Sequence, residues 1–133
     1  MKSARILLVD DNPTNMKLIS TTLKYAGHTV FNSMNAEEAL EALREPHFDL
    51  ILMDIALPGM DGLTLTKKLK ADERTRHIPI VALTAFAMKG DDQKAFAAGC
   101  NGYITKPINT RLFAQQLAEF LPQDISSDSN PAS

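Results

Sequence analysis

Four consecutive apolar residues, Leu50-Ile51-Leu52-Met53, run directly into a carboxylate, Asp54, and turn residues follow at Pro58-Gly59 and Asp61-Gly62. The run is too short for an independent helix and has no polar face, which is the pattern of a strand buried on both sides in a parallel sheet. Such a strand constrains the rest of the chain, because both faces of its sheet need helices to cover them. Asp54 stands where the strand emerges, and in open α/β sheets ligands bind in the crevice at the carboxyl ends of the strands.

The same alternation recurs along the chain. Arg5 to Val9 is a second apolar run, and it ends on Asp10 and Asp11. Asn12 then offers a helix cap and Pro13 a first helical residue. Met16, Ile19, Leu23 and Ala26 repeat at helical spacing, with Gly27 as a fitting stop. Thr29 to Asn32 reads as a short strand. Asn35 with Glu38 has the pattern of a capping box, ahead of a helix whose stripe is Ala39, Leu40 and Leu43. Leu63, Leu65 and Leu69 predict a helix to about Asp72, with Glu73 to His77 as a polar connection. Pro79 to Leu83 is a fourth strand, ending at Thr84. Lys89 to Ala98 predicts a weaker helix, short or mobile, because Gly90-Asp91-Asp92 opens it poorly and it holds few strongly apolar residues. Gly102 to Thr105 is a fifth strand leading to Lys106-Pro107, and Thr110 to Leu121 is an amphipathic helix on Leu112, Phe113, Leu117 and Phe120.

Strands alternating with helices predict an α/β fold, a doubly wound five-stranded parallel sheet. Right-handed crossovers covering both faces require one reversal along the sheet. For a chain of this length the expected order is 2-1-3-4-5, with strands 1 and 3 flanking the switch point. One domain is expected over residues 1–121, with a disordered polar tail over residues 122–133, where Ser, Asp, Asn and Pro dominate. A formal net charge of -2 and a pI near 5.9 provide no basic field for nucleic acid or acidic lipid. No run reaches membrane-spanning length and no signal peptide precedes the first strand, so a cytoplasmic protein is expected. Cys100 is the only cysteine and reads as a small structural residue beside Gly99.

The topology gathers what each strand delivers: Asp10 and Asp11 from strand 1, Asp54 from strand 3, Thr84 from strand 4 and Lys106 after strand 5. Three carboxylates packed together repel one another. One lysine and one divalent cation neutralise them, and an all-oxygen donor set favours Mg²⁺ over zinc. Mg²⁺ also characteristically takes a phosphate oxygen, which points to phosphoryl transfer onto a carboxylate. Asp54, at the end of the central strand, is the candidate nucleophile. Lys106 would bind a phosphoryl oxygen as a point charge and the Thr84 hydroxyl would bond another.

These residues resemble the bacterial response-regulator receiver domain, a CheY-like (βα)5 fold. Its pattern is an acidic pair after strand 1, a phosphoacceptor Asp after strand 3, Thr or Ser after strand 4 and Lys-Pro after strand 5. The matching positions are Asp10-Asp11, Asp54 within MDIALPGMDG, Thr84-Ala85 and Lys106-Pro107, spanning Ala4 to Leu121. The resemblance implies that Asp54 accepts a phosphoryl group from a histidine kinase or histidine phosphotransfer protein, in two-component signalling or a phosphorelay. It implies that Asp11, Asp54 and the Ala56 carbonyl bind Mg²⁺, with Asp10 acting mostly through water, and that the Lys106-Pro107 bond is cis. Thr84 and an inward swing of Tyr103 would form the switch, read by a downstream protein on the face of helix 4, strand 5 and helix 5. Ala56 and Phe86 match positions that influence the lifetime of the acyl phosphate, and a bulky Phe86 is expected to shield it for minutes or longer. No catalysis beyond the protein's own phosphorylation and slow autodephosphorylation is implied. Thr84 to Asp91 and Asn12 to Lys17 are similar to two subgroups, the single-domain DivK-type regulators and the receiver modules of hybrid histidine kinases. A start close to the first strand and a short tail favour a single-domain protein without a DNA-binding output domain.

Three other readings share parts of the pattern. A flavodoxin-like binder needs a Ser, Thr and Gly-rich first loop, where this chain has Asp10-Asp11-Asn12-Pro13, a sequence that repels an FMN phosphate in the absence of metal. A phosphatase of the haloacid-dehalogenase class places its nucleophile after strand 1 in a D-x-D arrangement, whereas the acids here are adjacent. A receiver-like scaffold that never becomes phosphorylated is disfavoured by the complete residue set.

Overall fold

The computed structural model describes residues 4–44, 48–54, 62–84, 91–105 and 110–120. In chain order they form β1 (Arg5–Val9), α1 (Pro13–Tyr25), β2 (Thr29–Ser33), α2 (Ala36–Ala42), β3 (Leu50–Asp54), α3 (Gly62–Ala71), β4 (Ile80–Thr84), α4 (Asp91–Ala98), β5 (Gly102–Thr105) and α5 (Thr110–Ala118). The strands make one parallel sheet, as the alternation predicts, in the order β2-β1-β3-β4-β5 expected for a chain of this length. The expected tail beyond Pro122 lies outside the described residues, and among those described no helix is long and apolar enough to cross a membrane.

β3 explains the architecture. All five of its residues are buried, and its side chains alternate between two cores. Ile51 and Met53 face a layer with Ala36, Ala39, Leu65 and Leu69, from α2 and α3. Leu50 and Leu52 face a second layer with Ile19, Leu23, Phe113 and Leu117, from α1 and α5. Each fully buried large apolar side chain stabilises the fold by about 1.5–3 kcal/mol relative to exposure, so the central strands hold the register. In that register Val9 lies opposite Met53, and Asp54 lies opposite Leu83.

The local signals behave as their chemistry requires. Asn12 Oδ1 accepts from the N–H groups of Thr14 (2.9 Å) and Asn15 (3.1 Å), capping α1. At the other end the Gly27 N–H donates to Lys24 and the His28 N–H to Leu23, a Schellman motif that needs the positive φ of Gly27. Glu38 N–H donates to Asn35 Oδ1, but Glu38 Oε1 accepts from Met34 N–H and not from Asn35, so the capping box is offset by one residue. Two stripe residues differ from expectation. Leu40 and Leu112 are exposed, because the small Ala36 and Ala39 seat α2 closely and Phe113 with Leu117 seats α5. β2 runs one residue further, to Ser33, because the Asp10 N–H donates to its carbonyl.

The described part of α4 spans eight residues, Lys89 and Gly90 of its expected opening lying outside the described residues, and its described buried side chains are Ala95 and Ala98. Its C-terminal end is nonetheless well held. Gly99 (φ +113°) allows a second Schellman motif, and its Cα packs against the Lys70 stem. Lys70 Nζ donates to the carbonyls of Arg76 (3.2 Å) and Ile78 (2.9 Å) and to Asn101 Oδ1 (3.0 Å), which also accepts from the Ile80 N–H. One side chain thus ties α3 to the entry of β4 and of β5. Beside it the buried Cys100 thiol bonds Thr66, and burial pushes its pKa up, so the structural reading of this cysteine is borne out.

Lys70→Met leaves the Arg76 and Ile78 carbonyls without this donor and Asn101 Oδ1 with the Ile80 N–H alone, and is expected to cost about 1–3 kcal/mol in chemical denaturation. At the opposite end of the sheet the Ala4 N–H donates to His28 Nδ1 (3.0 Å), a bond only unprotonated Nδ1 accepts. Burial lowers the His28 pKa below 6.5, with Asp49 opposing it. The unfolded chain therefore binds this proton more readily than the native one. The His28 contribution is complete above the unfolded pKa and is lost as pH falls through the folded one. Between about pH 7 and 5 the urea midpoint is expected to fall less in His28→Gln than in the native chain.

Candidate functional site

Burial carries the acidic residues of β1 and β3 to one sheet edge. β1 leaves the core at Asp10, which is itself fully buried. Asp10 N–H donates to the Ser33 carbonyl (3.0 Å), extending the ladder by one bond, and Asp10 Oδ1 accepts from the Asn12 N–H (2.9 Å). That last bond is an Asx turn, which orients the Asp10 carboxylate at the start of α1. Asn12 thus works in both directions, capping the helix with its side chain and holding Asp10 with its backbone. The motif Asp10-Asp11-Asn12-Pro13 contains the signal for this role, which sequence reasoning assigned to Asn12 as a cap alone. Asp11, one residue on, is exposed. Asp54, the last residue of β3, is only 5 % exposed, although it belongs to a residue type that is almost never buried without a partner.

The side chains meet. One carboxylate oxygen from each of Asp10, Asp11 and Asp54 lies within 4.8 Å of the others. Octahedral ligands at about 2.0–2.1 Å from Mg²⁺ lie about 3–4 Å apart, so this all-oxygen set suits a hard divalent cation after a small contraction. The exposure of Asp11 leaves the cluster open to water on one side, which an ion that retains part of its hydration shell requires.

The remaining sequence candidates divide in two. Thr84 ends β4 at the same edge, its backbone opposite Thr105, and Tyr103 lies opposite Ala82 in β5. Tyr103 is half-buried, packed against the layer that contains Met53, Ala82 and Ala95. Ala56, Phe86, Lys106 and Pro107 lie outside the described residues.

Comparison with known proteins agrees with this geometry. Residues 6–118 match the family model of the response regulator receiver domain. The chain is 46% identical over 116 residues to the polar-differentiation response regulator DivK of Brucella ovis, covering 87% of this chain and 94% of that protein. The structure is similar to that of a chemotaxis response regulator of Vibrio cholerae, with a TM-score of 0.84 at 29% identity over 90% of this chain and 100% of that one. It is also similar to the receiver domain of a sensor histidine kinase from Pseudomonas aeruginosa, solved with a magnesium ion coordinated in the active site cleft. For that pair the TM-score is 0.81 at 35% identity, over 90% of this chain and 98% of that one.

The crowding of like charge is measurable. In the absence of divalent cations and at low ionic strength, Asp11→Asn is expected to raise the thermal unfolding midpoint, and added monovalent salt to shrink the gain. A lower midpoint in the variant would show that Asp11 is not repelled where it stands.

Proposed function

The chain belongs to the response regulator receiver domain family of two-component signal transduction, and we propose that it signals by taking a phosphoryl group onto Asp54. The observation that carries this reading is the meeting of Asp10, Asp11 and Asp54 oxygens within 4.8 Å at the carboxyl ends of β1 and β3. A carboxylate at the end of a rigid buried strand has little freedom to lose when it attacks. One Asp54 oxygen attacks the phosphorus of a phosphohistidine on a histidine kinase or phosphotransfer protein. The O–P bond forms as the P–N bond breaks, and the departing imidazole keeps the electron pair and takes up a proton. Hydrolysis later returns the carboxylate and inorganic phosphate, and these two steps are the only chemistry the chain performs.

Asp11, Asp54 and the Ala56 carbonyl would hold Mg²⁺, with Asp10 bonding through water, and the ion supplies positive charge against the charge gathering on the transferring group. Lys106 binds a phosphoryl oxygen as a point charge, and the Thr84 hydroxyl donates to another. Tyr103 turns inward behind Thr84, and a downstream protein in the cytoplasm reads the surface of α4, β5 and α5. The small buried contribution of α4, Ala95 and Ala98 among its described side chains, favours this assignment, because lightly anchored elements are the ones a local charge can move. Phe86 shields the acyl phosphate from water.

Intact mass after incubation with acetyl phosphate tests the reading. The native chain is expected to gain one phosphoryl group only with Mg²⁺, and Asp54→Ala to gain none. No adduct on the native chain, or an adduct retained by the variant, would overturn it.

A further inference from the structure

Among the described residues β2 is an edge strand, paired with β1 alone. The Thr29 N–H donates to the Ala4 carbonyl and the Asp10 N–H to the Ser33 carbonyl, so the alternation of parallel pairing turns the N–H and C=O groups of Val30 and Asn32 away from the sheet. Exposed edges are ordinarily guarded by charge, proline or bulges, and Thr29–Ser33 (TVFNS) contains neither a charged residue nor a proline.

The two faces beside this edge carry opposite charge. On the α2 face Phe31, 36% exposed, has the Arg5 guanidinium 4.8 Å from its ring centroid, and it also lines a groove of about 500 Å³ together with Glu37, Glu38 and Glu41. On the α1 face Met34, 42% exposed, lies in a groove of about 380 Å³ with Lys17 and Lys24. Among the described residues Lys17, Lys24 and Glu37 have no ion-pair partner, and the Arg44 to Glu41 contact (3.6 Å) is exposed. Successive side chains of an added strand point to opposite faces, so such a strand would present every second residue to the acidic wall and the others to the basic one.

We propose that β2 accepts an extended segment of a partner protein in which basic and acidic residues alternate. Backbone pairing with Val30 and Asn32 fixes the segment on the edge. Its basic residues lay their stems along Phe31 with their heads at Glu37 and Glu41, and its acidic residues reach Lys17 and Lys24. Charge selects this occupant over a second copy of the chain, whose own edge TVFNS brings no charged side chain to either wall. The surface is separate from the acidic cleft, and the proposal stands whether or not Asp54 is phosphorylated.

Two acetylated, amidated octapeptides of equal composition, KEKEKEKE and KKEEKKEE, test it against the full chain at low ionic strength, with amide exchange followed by NMR. The alternating peptide is expected to bind at least tenfold more tightly, to protect the Val30 and Asn32 amides, and to lose both effects with Glu37→Lys combined with Glu41→Lys. Both replacements are at exposed positions, and circular dichroism checks the fold of the variant. Equal affinity of the two peptides, no binding, or binding without protection of Val30 and Asn32 would overturn the proposal. Protection of those amides that grows with protein concentration in the absence of peptide would assign the edge to a second copy and overturn it as well.

Discussion

Repulsion among Asp10, Asp11 and Asp54 is the interaction that the rest of the structure has to hold in check. Their oxygens lie within 4.8 Å of one another, and two of the three residues are buried. Against that stand Leu50, Ile51, Leu52 and Met53, fully buried and together worth about 6–12 kcal/mol at about 1.5–3 each. β1 contributes Ile6, Leu7, Leu8 and Val9 on the same terms. Sliding either strand to separate the carboxylates would bring these side chains out of register with α1, α2, α3 and α5. The core wins, and the acids remain together at the edge of the sheet.

The part of this arrangement that was legible in the sequence is the part decided by short-range pattern. The continuous apolar run ending in Asp54 specified a doubly buried strand, and the parallel sheet covered on both faces followed from the alternation of strands and helices. Asn12, Pro13 and Gly27 marked the ends of α1 because caps and left-handed turns are local chemistry. What escaped depends on long-range partners. Ser20 is buried in α1 because it donates to Asn32 Oδ1 across to the β2 edge, and Thr66 is buried in α3 because Cys100 meets it. Lys70 reads as one more surface lysine, yet it fills three acceptors drawn from a turn and from the entry to β5. Leu40 and Leu112 fit a helical stripe but stand at its margin, where neighbouring residues already close the contact.

Within the site the same division holds. The resemblance gave Asp10 and Asp11 different roles, and the structure gives them different surroundings. Asp10 is enclosed by the Ser33 carbonyl bond and the Asn12 turn, and Asp11 is left facing water. A buried and an exposed carboxylate, joined to one from the neighbouring strand, make a cluster with a closed side and an open side.

A Mg²⁺ titration of the isotopically labelled chain followed by NMR measures directly whether these three carboxylates act as one cation site. Saturable one-site shifts at the amides of Asp10, Asp11 and Asp54, absent in Asp54→Ala, are the predicted result. Shifts that fail to saturate, or that fall equally on surface acids such as Glu37 and Glu41, would contradict it.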